Sequence, residues 1–230
     1  SSSGGSLDLT PRTIVSASEG VTPDGTRIAS AGTNAIISYY RKSATGTYEG
    51  GAKRVTEQGV VLDLVAKTFE SPAAFSYDGF EILAVWAEYK NNISQFKYRR
   101  YNTDLTPVDG NEHSLTSSIG YWHFNVATGD RGNFLFVYDT FDVKPPYGTT
   151  RVRGIMIDWK KNGVACSQNE DCLSGFCVDG VCCDTACGGG DPNDCTACSK
   201  AAGALVDGTC RVLLPGTTCR PKGGLCDAAE

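Results

Sequence analysis

The distribution of cysteine constrains this chain more than any other feature of its sequence. All eleven cysteines fall between Cys166 and Cys226, and none precedes them. The chain ahead of Cys166 must therefore be held by an ordinary apolar core. The stretch after it is short, poor in large apolar side chains and filled with Asp, Gly and Pro. A segment of that size buries too small a fraction of its surface to be stable without covalent staples. Cysteine density of this kind points to an oxidising compartment, hence an extracellular or outer cell-surface address.

Two regions follow, residues 1–160 and 161–230, joined at Trp159-Lys160-Lys161-Asn162-Gly163. Net charge is −5 over 230 residues, which lacks the basic balance that nucleic-acid binding requires. No apolar stretch approaches the roughly 20 residues of a membrane helix, so no membrane span is expected. The densest basic run, Lys97, Arg99 and Arg100, alternates with Phe96, Tyr98 and Tyr101. At strand period this reads as a solvated face opposite a buried one.

The first region repeats internally. Asn34–Tyr40, Glu81–Ala87 and Asn133–Asp139 can be laid over one another, each after a glycine turn at Gly32, Gly79 or Gly132. Their aromatic anchors Tyr39, Trp86 and Tyr138 are 47 and 52 residues apart and are expected in the core. A short strand precedes each glycine. A second β-like stretch follows, ending at Leu62-Asp63, Val108-Asp109 or Ile157-Asp158. Val60–Phe69 is the best helical candidate, although Val60-Val61-Leu62-Asp63-Leu64-Val65 reads equally as strand. The fold class expected is all-β: about three propeller-like blades, then a small disulfide-rich, loop-dominated region. Three units cannot close a ring that typically needs about four to eight blades. The sequence thus favours a piece of something longer, over copies that complete one another or units that stack differently.

The cysteines run C-x5-C-x4-C-x4-CC-x3-C-x7-C-x2-C-x11-C-x8-C-x6-C from Cys166. Structural disulfides are expected among Cys166, Cys172, Cys177, Cys182, Cys183, Cys187, Cys195, Cys198, Cys210 and Cys219. Cys226 is the odd one left over. Adjacent Cys182 and Cys183 should point to different partners. The rival readings are a zinc site, since Cys195-x2-Cys198 has ligand spacing, and a redox Cys-x-x-Cys pair.

The run Cys166-Ser167-Gln168-Asn169-Glu170-Asp171-Cys172, continuing through Phe176-Cys177-Val178-Asp179-Gly180-Val181-Cys182-Cys183 to Cys187, resembles the cysteine-rich repeat of myxobacterial (deltaproteobacterial) secreted and cell-surface proteins. Cys195-Thr196-Ala197-Cys198 and Gly208-Thr209-Cys210 have counterparts there. Thr218–Glu230 resembles part of a disintegrin-like module, and it stops where that pattern would place another cysteine. Ser76-Tyr77-Asp78-Gly79-Phe80-Glu81-Ile82-Leu83-Ala84-Val85-Trp86 is similar to the propeller-like repeats of the same class. The resemblance implies an extracellular scaffold or adhesive role and carries over no catalytic residue.

Chemistry-bearing motifs are few. The histidines are His113 and His123, and no Gly-x-Ser-x-Gly elbow or Ser-x-x-Lys pair accompanies them. Asp24, Asp78, Asp109 and Asp130 sit in or beside turns, where Asp bonds its own backbone. Asp104-Leu105-Thr106-Pro107-Val108-Asp109-Gly110-Asn111-Glu112 offers hard oxygen ligands to calcium, without the order of an EF-hand. No catalytic residue and no other cofactor is expected. Aromatic faces suit recognition, and Tyr121, Trp122 and Tyr147, in turn-rich stretches, are the candidate binding residues. The function expected is a structural or adhesive module contacting proteins, the envelope or copies of itself. The alternative is a carbohydrate-binding module, or the non-catalytic part of an envelope hydrolase.

Overall fold

The computed structural model describes residues 13–16, 20, 25–91, 93–119, 123–142, 148–190 and 195–213. Cα packing divides the chain into two compact units, residues 1–156 and 157–230. The described residues form strands and short 3₁₀ turns without an α-helix.

The first unit holds three antiparallel meanders. The first sheet runs in order β1 (Arg27–Ala31), β2 (Asn34–Lys42), β3 (Tyr48–Thr56), β4 (Lys67–Phe69). The second runs β5 (Ala74–Tyr77), β6 (Ile82–Lys90), β7 (Ile93–Tyr101), β8 (His113–Ile119). The third is β9 (Phe124–Thr128), β10 (Asn133–Asp142), β11 (Thr149–Asp158). The three segments that align in sequence are thus β2, β6 and β10, the second strand of each sheet. Gly32, Gly79 and Gly132 make the turn before each, all at positive φ (69°, 96° and 77°). Sequential strands pair with their neighbours because tight turns leave antiparallel hairpins as the local solution.

The first strands lie side by side, β1 against β5 and β5 against β9. Directly opposed residues in an antiparallel pair share a face, so the registers say which side of each sheet looks where. Ile36 and Ala52 face the second sheet, against Phe75, Ala84 and Trp86. The other side of the second sheet presents Phe96, whose ring meets Phe124, Phe136 and Tyr138 at 5.1–5.3 Å. Tyr39, Trp86 and Tyr138 are all buried, at 1 %, 1 % and 8 % exposure.

Two expectations need correction. Val60–Phe69 is not helical: Val61 bridges to Val55, and only Lys67–Phe69 is regular, as strand β4. The Lys97–Tyr101 run is not a solvated face. β7 pairs with β6 without a break in register, so the neighbours Arg100 and Tyr101 fall on opposite faces of the sheet, and both are buried.

The buried arginine has a structural use that recurs. Arg100 donates its backbone N–H to Asp109 Oδ2 (2.9 Å) and its Nη2 to Asp109 Oδ1 (2.6 Å). Arg54 does the same to Asp63, with the backbone bond at 2.7 Å and Nη2 to Oδ1 at 2.6 Å. In both, the arginine carbonyl also receives a return bond from eight residues on: Leu62 N–H to Arg54 and Val108 N–H to Arg100, each 3.0 Å. The first two sheets therefore end their third strand in the same clasped loop. Asp109 belongs to this clasp and not to turn chemistry.

The second unit is loop-dominated. Disulfides join Cys166–Cys177, Cys172–Cys182, Cys183–Cys198 and Cys187–Cys210. Cys195 is disulfide-bonded as well, while Cys219 and Cys226 lie outside the described residues. The hairpin of β12 (Cys177–Val178) and β13 (Val181–Cys182) turns through Asp179 and Gly180, both at positive φ, the Asp-Gly turn that suits a two-residue loop. A second small ladder pairs β14 (Thr196–Ala197) with β15 (Arg211–Val212). Cys183, Cys187 and Cys198 with Val178 make the unit's apolar centre, so its core consists largely of the cross-links themselves.

Candidate functional site

A hollow of about 710 Å³ opens between the first two sheets. Three elements build it. The hairpin tip joining β2 and β3 supplies Tyr48 and Glu49, the end of β6 supplies Glu88 and Tyr89, and the residue before β8 is Glu112. Tyr48 and Tyr89 are 60 % and 46 % exposed, so both present ring area to water. Thr45 and Thr47 stand on the same tip, joined in a hydroxyl chain with Ser43 (2.8 and 2.9 Å).

The electrostatics centre on Lys97. Its Nζ lies 2.9 Å from Glu88, 3.5 Å from Glu112 and 3.8 Å from Glu70. The hydrogen bond from Lys97 holds the Glu88 carboxyl below its ordinary range, and the Lys97 ammonium is pushed up in return. Arg41 pairs with Glu49 at 2.7 Å. The floor is thus acidic, with more carboxylates than cations, and its Glu88 is held in the ionised form.

A second hollow of about 400 Å³ adjoins the first through Tyr40, Ser71 and Ala87. It lies where β1, β5 and β9 begin, lined by Arg27, Pro72 and Phe124. The Arg27 guanidinium sits 4.3 Å from the centre of the Phe124 ring and donates to the Phe124 carbonyl. Burial lowers the Arg27 pKa and raises that of Tyr40. His123 is exposed at the rim, its Nδ1 3.0 Å from Asp139 Oδ2.

The candidate residues Tyr121, Trp122 and Tyr147 lie outside the described residues. They fall in the β8–β9 and β10–β11 connections. Tyr48, Tyr89 and the glutamates were not singled out as a site from sequence. The available signal was a tyrosine beside each hairpin tip, next to Ser43-Ala44-Thr45-Gly46-Thr47 in one case and Lys90-Asn91 in the other.

The calcium loop does not converge on one point. Asp104 Oδ1 accepts from the Thr106 N–H and hydroxyl, Asp109 is clasped by Arg100, and Glu112 faces Lys97. Among the described residues, groups bringing three potential metal ligands together are Cys166, Cys172 and Cys182, and Cys183, Asp184 and Cys198. All five of those cysteines are in disulfides, which removes the thiolates that zinc would need. Cys198 pairs with Cys183, so Cys195-x2-Cys198 is not a redox pair. The chain matches no family model, no curated protein and no solved structure.

Proposed function

We propose that this chain is an extracellular or cell-surface adhesive module that makes protein or envelope contacts without catalysis. Its three sheets are read as propeller-like blades, and the cleft between the first two as its recognition surface. The observation that carries the reading is that open cleft, with exposed Tyr48 and Tyr89 over an acidic floor. Tyrosine combines large contact area with a polar tip, the combination favoured where surfaces meet. The Glu88 carboxyl is held ionised by Lys97, which suits charge recognition better than proton donation. The disulfides are consistent with the extracellular address. The blade reading draws on the meander order and on first strands that neighbour one another.

A carbohydrate ligand is the second reading, favoured by the same tyrosines beside Thr45, Thr47 and Glu49. Binding of the full chain to isolated bacterial envelope and to a glycan array tests both. Substituting Tyr48→Ala with Tyr89→Ala is expected to weaken binding at least tenfold. Retention that falls steeply with salt identifies a basic protein face, whereas a stacked sugar is nearly salt-independent. Unaltered binding in the double variant sinks the cleft as the recognition surface.

A further inference from the structure

Arg54 and Arg100 each enter the sheets gripping a carboxylate. Arg27 enters the smaller hollow, where β1, β5 and β9 begin, without one. Among the described residues, the ionisable group that bears on its charge is the Tyr40 hydroxyl. Arg27 is tied instead to Phe124 of β9, whose carbonyl accepts from Nη1 and whose ring lies against the guanidinium. Those contacts use one nitrogen and one face of the plane. The Nε and Nη2 donors have no protein acceptor among the described residues. A guanidinium withdrawn from water without a countercharge is costly, and a bound anion offsets that cost.

The strand register brings a second donor to the same place. Arg27 pairs with Ser38, so Tyr40, two residues along β2, shares its face of the sheet. That face looks toward β5, since the Ser38 hydroxyl donates to the Ala73 carbonyl at 2.7 Å. Tyr40 lines the hollow, and its hydroxyl makes no hydrogen bond to the described residues. At the rim, Asp139 is already engaged: its Oδ2 lies 3.0 Å from His123 Nδ1, and its Oδ1 accepts the His123 N–H at 3.3 Å. Pro72, Ala87 and Phe124 complete the wall, and a volume of about 400 Å³ is ordinary for a small-molecule site.

We propose that Arg27 and Tyr40 bind a carboxylate carried on an apolar body, the chemistry of a peptide C-terminus that ends in an aliphatic side chain. One uncompensated positive charge matches a monoanion. The parallel Nε and Nη2 donors of a planar fork fit the two oxygens of a carboxylate, and the tyrosine hydroxyl supplies a third bond. Pro72, Ala87 and Phe124 suit the aliphatic group, whereas a sugar acid would bury its hydroxyls against them. This site stands whether or not the Tyr48 and Tyr89 cleft binds anything.

Isothermal titration of the full chain with N-acetyl-leucine, its uncharged amide and glucuronate provides the test. N-acetyl-leucine is expected to bind once per chain, with the amide weaker by about tenfold or more. Arg27→Gln should weaken binding by about tenfold or more. Tyr40→Phe should weaken it about threefold, and it keeps the test open if losing the tie to Phe124 unfolds the arginine variant. The paired Tyr48→Ala and Tyr89→Ala variant should bind N-acetyl-leucine as the parent does. No binding, equal binding of the amide, or parent-like affinity in Tyr40→Phe or in a folded Arg27→Gln overturns the proposal. Glucuronate bound more tightly than N-acetyl-leucine overturns the assignment to a peptide terminus. Loss of binding in the paired tyrosine variant moves the anion to the outer cleft and overturns the site.

Discussion

At the scale of single residues, the Arg–Asp clasps separate two effects of burial. Arg100 and Asp109 are both buried, at 2 % and 7 % exposure, whereas Arg54 and Asp63 are partly open to water. Removing one partner of a buried pair leaves the other charge unsolvated. Asp109→Ala is therefore expected to cost about 3–5 kcal/mol. Asp63→Ala should cost about 1–2 kcal/mol, because water screens the freed arginine. Urea midpoints of the two variants check the difference, and equal losses would contradict it. Glu81 stands beside the inner clasp, its Oε2 3.5 Å from Arg100 Nη1 and without a hydrogen bond. Burial raises its pKa, with the pull of Arg100 too weak to offset it. The folded chain thus holds this proton to higher pH than the unfolded chain does. The associated stability is present below the unfolded carboxyl's range and is lost as pH rises through the folded pKa. Glu81→Gln should accordingly be more stable than the parent at pH 7. The advantage should vanish below about pH 4, where both side chains are neutral. Urea titrations at the two pH values measure this.

At the scale of elements, two glycines illustrate different demands. Gly79 is at φ +96° with no atom within 4 Å of where a Cβ would sit. Gly50, on β3, has no such φ, but a Cβ there would lie 2.1 Å from the Ser71 carbonyl oxygen. Ser71 is pinned in turn, since its hydroxyl accepts the Ala87 N–H at 3.0 Å. Gly79→Ala should cost about 1–2 kcal/mol from backbone conformation alone. Gly50→Ala should fall at or above the upper end of the about 1–3 kcal/mol seen at overpacked sites, because backbone must move. Thermal unfolding of both variants ranks them. The glycine turns and the second strands were legible in the sequence, since period-2 alternation and turn residues are local signals. The clasp was half legible: Leu62-Asp63 and Val108-Asp109 were evident as matching ends. Arg100, nine residues before Asp109, was read as surface because alternation along one strand does not say that both faces of its sheet are covered.

At the scale of the whole molecule, the two units are stabilised by different physics. The first relies on sheet packing around Trp86, Phe96 and Phe136. The second has cystines as its apolar centre, each restricting the unfolded chain by about 2–4 kcal/mol. Reduction under native conditions is expected to unfold residues 157–230 and to leave the sheets of residues 1–156 intact. Amide exchange by NMR should show protection lost in the former and kept at Ile82–Ala87 in the latter. Simultaneous loss in both would show that the sheets depend on the cystines.

The sequence by itself determined the all-β class, the cysteine-rich second region, the burial of Tyr39, Trp86 and Tyr138, and the divergence of Cys182 from Cys183. These follow from composition, period and covalent geometry, which are properties of neighbouring residues. Tertiary structure alone decided which cysteines pair, which arginine is buried and where Tyr48, Tyr89 and four glutamates meet. It also decided that Leu135 is exposed where Ile36 and Leu83 are not. Those outcomes depend on which sheet face another element covers, and residues far apart in the chain settle that jointly.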